Sequence, residues 1–519
     1  MALPIPRPSM PSFISQALSS SIAYLRDKLG SLTHGTSIAI ARPAILSLLS
    51  SIEVGTLVLL DEPHGERLVF GQPLPYGQPN NPDNLSSQGN ASALAKCNAN
   101  TNPLHPNASP PVATLTVKSS TFYPRLLLLA DMGFADSYLL CEVECPDLTA
   151  FFTLFIRNRA RLNNGTTRAS TLLSAFSSLL PARTRPTNTL PNAPRHVQAH
   201  YDISNAMFAA FLSRDMTYSC PVWELNSSTI TTTTATTAPG ASTRKDLDGE
   251  EEETLEQAQM RKLQRFIDGL RIKRTDHVLE IGSGWGSFAI EAARQTGCKV
   301  TTVTLSKEQK GWVEERVRTE GLEGRVEVLL RDYREVEAPK GGFDKVVSIE
   351  MIEAVGEAFL GTYFGCVNSL LKREGGIAMF QCITMPEGRH GAYSRREDFI
   401  NRYIFPGGYL PSITQLLNHI STASKGTLIV ERVENIGGHY VRTLRLWKEQ
   451  FLVNFEDKIR PALLREHPDM TDEGIEVFRR KWEYYFTYCE AGFSTKTLGD
   501  VVITVGREGA MELMEGIPL

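Results

Sequence analysis

The run Val278-Leu279-Glu280-Ile281-Gly282-Ser283-Gly284-Trp285-Gly286 has the types and spacing of a ligand-binding turn. A β-forming stretch enters a loop of alternating glycines, and a helix-forming stretch, Ser287 to Thr296, leaves it. Glycines at such a turn let the backbone approach a ligand beyond the carboxyl end of a strand. A dinucleotide site would carry G-x-G-x-x-G, whereas this loop is G-x-G-x-G with an acid two residues ahead of it. That form points to S-adenosylmethionine instead of NAD. Glu280 is oriented to hold the ligand's amino group or to brace the loop. The next β-rich run ends in Val303-Thr304-Leu305-Ser306 without an acid, and Ser306 and Gln309 can offer hydrogen bonds to ribose hydroxyls in its place. Asp332, after the following run, is expected to meet the adenine amino group or to form a turn.

These residues need a scaffold that brings several strand ends together. Val278 to Ile281, Lys299 to Val303, Val326 to Leu330, Lys345 to Ile349 and Gly376 to Phe380 are short β-rich runs separated by helix-length segments. That alternation predicts an α/β fold, a Rossmann-like domain with a doubly wound sheet. The first part of the chain reads differently. A helical stretch is expected over Ile14 to Leu29, strands with turns from Gly55 to Gly71, a strand at Ala113 to Val117, and apolar, mostly helical sequence from Phe122 to Arg159. Residues 1–162 thus form a smaller α+β domain, interrupted over 72–111 by an Asn-, Pro-, Ser- and Gly-dense insert with little to bury. Residues 163–194 read as a linker and 195–519 as the catalytic domain, itself interrupted by a Thr-rich and acidic insert over 227–253.

A length of 519 residues suits two domains, and a formal charge of −4 supplies no bulk attraction for nucleic acid. The eight cysteines show no C-x-x-C pairing and no clustered histidine, so no metal site or disulfide scaffold is expected, and a reducing compartment fits. No run approaches the roughly 20 apolar residues of a membrane span. The expected location is cytoplasmic.

Several further segments are similar to cyclopropane-fatty-acyl-phospholipid synthases and the related mycolic acid cyclopropane synthases. They are His200-Tyr201-Asp202-Ile203, Met216 to Cys220, Glu280 to Gly286, Thr304 to Gln309, Ser348 to Gly356, Tyr403 to Gly408 and Tyr440 to Thr443, in order from about His200 to Gly492. Phe122-Tyr123 and Gly133 to Tyr138 resemble the smaller lipid-engaging domain of the two-domain phospholipid enzymes. The resemblance implies a class I methyltransferase domain that moves a methylene from S-adenosylmethionine to the cis double bond of an unsaturated phospholipid acyl chain, giving a cyclopropane fatty acid. It implies cofactor contacts from Tyr218, Ser219, Glu280, Gly282, Gly284, Gly286, Thr304, Leu305, Ser306, Gln309 and Asp332. It also implies peripheral membrane contact, and it leaves the oligomer open, a homodimer included.

An isolated alkene is a poor nucleophile, so such a site must align the π bond with the sulfonium methyl, tolerate a developing cation and remove a proton. Tyr218, Tyr403, Phe405 and Tyr440 are candidates to face the cation, or to be core packing. The family resemblance implies bicarbonate as the proton acceptor. It assigns this ion to Glu353, Tyr440 and the main chain of Cys220 and Ile383, with Gln381 where the bacterial pattern has histidine and Ala354 where it has a second one. A glutamine can donate to an anion but carries no charge and shuttles no proton. Two other functions fit the same residues less well. One is another lipid or amine methyltransferase, such as a sphingolipid C-methyltransferase, whose members carry membrane spans near the N-terminus. The other is an inactive lipid-binding homologue, against which the intact Glu280, Gly282, Gly284, Glu353 and Tyr440 argue.

Overall fold

The structure, a computed structural model, describes residues 34–73, 109–162, 205–225 and 253–518. The expected helix at 14–29, the linker, the segment His200–Ile203 and nearly all of both inserts lie outside the described residues. Two compact units are present.

The first unit comprises the described residues up to 162 together with Asp398–Ile404 and Phe455–Thr495. Its sheet joins β1 (Thr56–Asp61), β2 (Glu66–Gly71), β3 (Val112–Val117) and the short β4 (Val143–Glu144) in the order β2-β1-β3-β4. β1 pairs antiparallel with β2 and parallel with β3. The α+β character is the expected one, but the helix Asp472–Ser494, expected in the catalytic domain, packs here instead. The reason is aromatic burial. Tyr484 sits 4.9 Å from Phe152 and 4.1 Å from Phe399 between ring centroids, while Phe134 stacks on Phe151 at 4.5 Å. Each such ring buries enough surface to contribute about 1.5–3 kcal/mol.

The second unit holds β5 (His277–Ile281), β6 (Lys299–Thr304), β7 (Val326–Leu330), β8 (Lys345–Ile349), β9 (Ile377–Thr384), β10 (Ile429–Asn435) and β11 (Gly499–Gly506). Their order is β10-β11-β9-β8-β5-β6-β7, parallel from β7 to β9, with β11 antiparallel to both β9 and β10. This is the doubly wound class I methyltransferase sheet, and its direction of winding reverses between β5 and β8. Leu279, Val346, Val347, Phe380 and Ile503 are wholly buried along its middle. Helices start on side-chain caps that the sequence supplies: Thr254 and Gln257 form a reciprocal capping box, and Ser306, Ser412 and Thr471 each accept a first-turn amide. β10 and β11 are additions to the expected strand set. No described helix is long and apolar enough to cross a membrane.

The first unit turns on Asp61, buried at the end of β1. Its carboxylate accepts from Tyr123 Oη at 2.7 Å and Arg42 Nε at 2.8 Å, and pairs with His64 Nδ1 at 3.0 Å. Burial pushes this carboxyl up, but the bonds from Tyr123, His64 and Arg42 outweigh it and hold the group below its ordinary value. A depressed carboxyl contributes stability above its unfolded pKa and loses it as pH falls through the folded one. Asp61→Ala should therefore destabilise this unit by about 3 kcal/mol at neutral pH, because Tyr123 loses its acceptor and Arg42 keeps only its exposed pairing with Glu66. Hydrogen exchange of the Leu57–Leu60 amides should accelerate accordingly, and the difference from wild type should shrink on acidification; equal protection at neutral pH would refute the assignment.

Candidate active site

The loop after β5 opens a pocket at the carboxyl end of the parallel strands, lined among others by Tyr218, Glu280, Gly284, Gln309, Asp332 and Glu350. Of the residues expected to bind the cofactor, Tyr218, Ser219, Glu280, Gly282, Gly284, Thr304, Leu305, Gln309 and Asp332 line it. Gly286 and Ser306 are not among the lining residues. Gly286 starts the helix Ser287–Thr296 in left-handed conformation (φ +87°), and a Cβ there would meet Val313 Cγ1 at 2.8 Å. Ser306 caps the helix Lys307–Thr319, its Oγ accepting from the Gln309 amide at 3.1 Å. Both shape the loop ends instead of touching the pocket.

Gly284 differs from its neighbours. It has φ +48°, and a Cβ built on it would meet nothing within 4 Å, whereas one on Gly282 would meet Met351 Cγ at 3.0 Å. The loop thus leaves space over Gly284 that no protein atom takes, which fits a ligand lying against the backbone. Glu280 is buried beside it and takes the Thr302 hydroxyl at 2.5 Å. Burial pushes the Glu280 carboxyl up to about 8, and a cationic amine in the pocket would offset that penalty. Asp332 is held by Arg334, through its amide at 2.9 Å and its guanidinium at 2.8 and 2.7 Å. Lys262, unremarked in the sequence, is wholly buried on the pocket wall, donates to Ser219 Oγ at 2.6 Å, and has its ammonium pushed down by burial.

The residues assigned to proton removal do come together, but around a carboxylate that the sequence did not single out. Glu350 accepts from the Cys220 amide at 2.8 Å, from Gln381 Nε2 at 2.7 Å and from the Tyr440 hydroxyl. Gln381 Nε2 also donates to Asp500 Oδ2 at 2.8 Å and to the Cys220 carbonyl at 3.3 Å. The Ile383 amide donates to Glu353 Oε1 at 2.5 Å, and Glu353 Oε2 is buried with no partner among the described residues. Three acids thus lie close together, Asp500 wholly buried and Glu350 and Glu353 half-buried. Burial pushes each carboxyl up, assisted for Glu353 and Asp500 by the charge of Glu350, and Glu353 reaches about 8. The donors assigned to a bicarbonate are already committed to Glu350 and Glu353, and a further anion would meet three buried carboxyls. The residues in this arrangement do not fit a separate bicarbonate. Ala354 lines the cofactor pocket, as do Glu350 and Met351.

Of the aromatic candidates, Tyr218 lines the pocket and packs on Phe208 and Trp447 at 5.2 and 5.1 Å, and Tyr440 faces Trp447 at 6.1 Å. Tyr403 belongs to the first unit, where its hydroxyl donates to Asp136 at 2.5 Å. Glu350 was legible in one respect: it follows a β-rich run within Ser348 to Gly356, where an acid at a strand end commonly faces a ligand. Its neighbour Glu353 drew the assignment because the family motif names it.

The family model described as mycolic acid cyclopropane synthetase matches residues 189–502, and the chain belongs to that family. It is 37% identical to the tuberculostearic acid methyltransferase UfaA1 of Mycobacterium tuberculosis, over 73% of this chain and 79% of that protein. It is 31% identical to the cyclopropane-fatty-acyl-phospholipid synthase of Escherichia coli K12, over 78% of this chain and 91% of that one. Among solved structures, a coclaurine N-methyltransferase bound to N-methylheliamine and SAH superposes with TM-score 0.51 at 17% identity, covering 72% of this chain and 99% of that chain, a likeness of fold. The protein is an S-adenosylmethionine-dependent methyltransferase of a lipid-modifying family.

Gly284→Val tests the pocket. A Cβ there meets no protein atom within 4 Å, so the fold should lose about 1–3 kcal/mol for a left-handed non-glycine residue and still melt cooperatively. Calorimetric binding of S-adenosylmethionine should be abolished. Unchanged affinity in that variant would remove the loop from the site.

Proposed function

We propose that this protein adds a methylene from S-adenosylmethionine across the cis double bond of an unsaturated phospholipid acyl chain, producing a cyclopropane fatty acid. The observation that carries the reading is an acid, Glu350, on the wall of the pocket, with Glu353 and Asp500 close behind it. Alkylating a hydroxyl or an amine needs at most one base near a polar acceptor, whereas alkylating an alkene leaves a cation with no acidic proton except on carbon. Removing that proton needs a desolvated base held against the reacting chain. Similarity to the E. coli phospholipid enzyme supports the substrate class.

When bound, S-adenosylmethionine supplies an electrophilic methyl on a sulfonium centre. The protein's part is placement and exclusion of water. Gly284 admits the cofactor's backbone-facing edge, and Glu280 offers a carboxylate to its amine. Tyr218 lines the pocket, where an aromatic ring can stabilise a cation through its quadrupole. The acids beyond them take the proton. A methylene product is the second reading, favoured by the similarity to the tuberculostearic acid methyltransferase: the first bond formed is the same, but a hydride shift carries the cation onto the methylated carbon before the methyl loses its proton, and a saturated methyl branch would need a separate reductant.

Lipid mass spectrometry after expression in a host without cyclopropane lipids separates these readings. Unsaturated phospholipid chains should gain one CH2 and resist catalytic hydrogenation. A product with the same added carbon that takes up hydrogen would instead establish the methylene reading, and no added carbon on any lipid would refute both.

A lipid substrate also places the enzyme at a membrane surface. We expect the purified protein to sediment with vesicles containing anionic phospholipid at low salt and to be released at high salt. Failure to sediment at any ionic strength would argue for a substrate delivered away from the bilayer.

A further inference from the structure

We propose that the proton acceptor of this enzyme is the carboxylate of Glu350, a residue of the chain occupying the place among Cys220, Gln381 and Tyr440 that a bound bicarbonate would otherwise take. The proposal rests on the alkene-alkylating reading and identifies the base within it.

Three independent observations support it. The first is coordination. One main-chain amide, one carboxamide and one phenol converge on Glu350, a donor set suited to a small oxyanion, and all three are satisfied by its side chain. The second is access. Glu350 lines the cofactor pocket, while Glu353, whose Oε1 is taken by the Ile383 amide, is not among the lining residues. The third is backbone strain. Glu350 has φ +49°, a left-handed conformation that costs a non-glycine residue about 1–3 kcal/mol. It stands immediately after β8 and donates its own amide to the Gln381 carbonyl at 2.9 Å. A glycine would take that turn without strain, so the acid is held there against the local preference.

The step balances within the site. The lipid's π electrons form a bond to the methyl carbon as the carbon–sulfur bond breaks, its electron pair remaining on sulfur. Glu350 then takes one proton from the added carbon, and the electrons of that C–H bond close the third side of the ring. The carboxylate becomes a carboxylic acid, and the cation is discharged. Gln381, bridging Glu350 and Asp500, positions the base without itself carrying a proton, which accounts for a glutamine where a charged or shuttling side chain is expected next to a free anion.

The test pairs binding with turnover. 13C-labelled bicarbonate should show no specific binding to the wild-type enzyme loaded with S-adenosylhomocysteine. The Glu350→Gly variant, whose backbone suits that φ, should bind it with Tyr440 and Gln381 intact. In turnover with an unsaturated phospholipid, wild type should run equally fast in bicarbonate-depleted and bicarbonate-supplemented buffer. Glu350→Gln should lose at least about 100-fold in kcat, the usual worth of a general base, with cofactor affinity unchanged. Glu350→Gly should be comparably slow in depleted buffer and partly rescued by added bicarbonate. Wild-type binding of bicarbonate in the donor cluster, or a wild-type rate that falls on its depletion, would overturn the proposal. So would full activity in Glu350→Gln. A wild type that alkylates no lipid refutes the functional reading separately, and the bicarbonate-binding comparison still decides whether Glu350 fills the anion's place.

Discussion

The burial of three carboxyl groups at the end of one sheet is the constraint around which the catalytic unit is arranged. Glu350, Glu353 and Asp500 are withdrawn from water within reach of one another's charge, and Lys262 is the buried cation whose charge favours ionised Glu350. Such a cluster is tolerable only where each ionised oxygen finds donors, since an unpaired buried charge costs several kcal/mol. Main-chain amides of Cys220 and Ile383, the Tyr440 hydroxyl and both protons of the Gln381 carboxamide perform that service. The remaining oxygens, Glu353 Oε2 and Asp500 Oδ1, have no partner among the described residues, as expected where one or more of these acids is kept protonated.

Strand register decides that these groups meet. Gln381 on β9 lies opposite Ile349 on β8 and Val502 on β11, and Asp500 lies opposite Ile383. The turn after β8 then swings Glu350 onto the Gln381 side chain. The segment before Cys220 is tied to the helix Leu255–Gly269 by Gln259, which donates to the Ser219 carbonyl at 2.8 Å, and by the Lys262–Ser219 bond. That tie delivers both the Cys220 amide to the acids and Tyr218 to the cofactor side. A single segment therefore borders both the pocket and the cluster of acids.

The glycine loop has a different economy. At Gly282 and Gly286 a Cβ would crowd neighbouring side chains, whereas at Gly284 it would meet open space beside the pocket, and all three have positive φ. Three similar letters in the sequence thus have two physical meanings. Gly282 and Gly284 line the pocket, whereas Gly286 stands at the start of the following helix. Ser306 likewise caps a helix, and Gln309 faces the pocket from that helix's first turn.

The five parallel strands, the loop and the helix behind it were legible in the chain because each rests on local rules: apolar runs of strand length, glycine at a turn, a cap before a helix. β10 escaped because its residues Ile429–Asn435 are largely exposed on a sheet edge and show no clean alternation. The helix Asp472–Ser494 was legible as sequence but not in its placement, since a chain that leaves one unit to pack aromatic rings in another carries no local mark of doing so. The same holds for the site. Cys220, Gln381 and Tyr440 were named from motif alone, yet the group they serve could be found only when residues as far apart in the chain as Cys220 and Tyr440 were brought onto one carboxylate. Hydrogen-bond donors are encoded residue by residue; the acceptor on which they converge is set by register and backbone turn, which no periodicity in the sequence records.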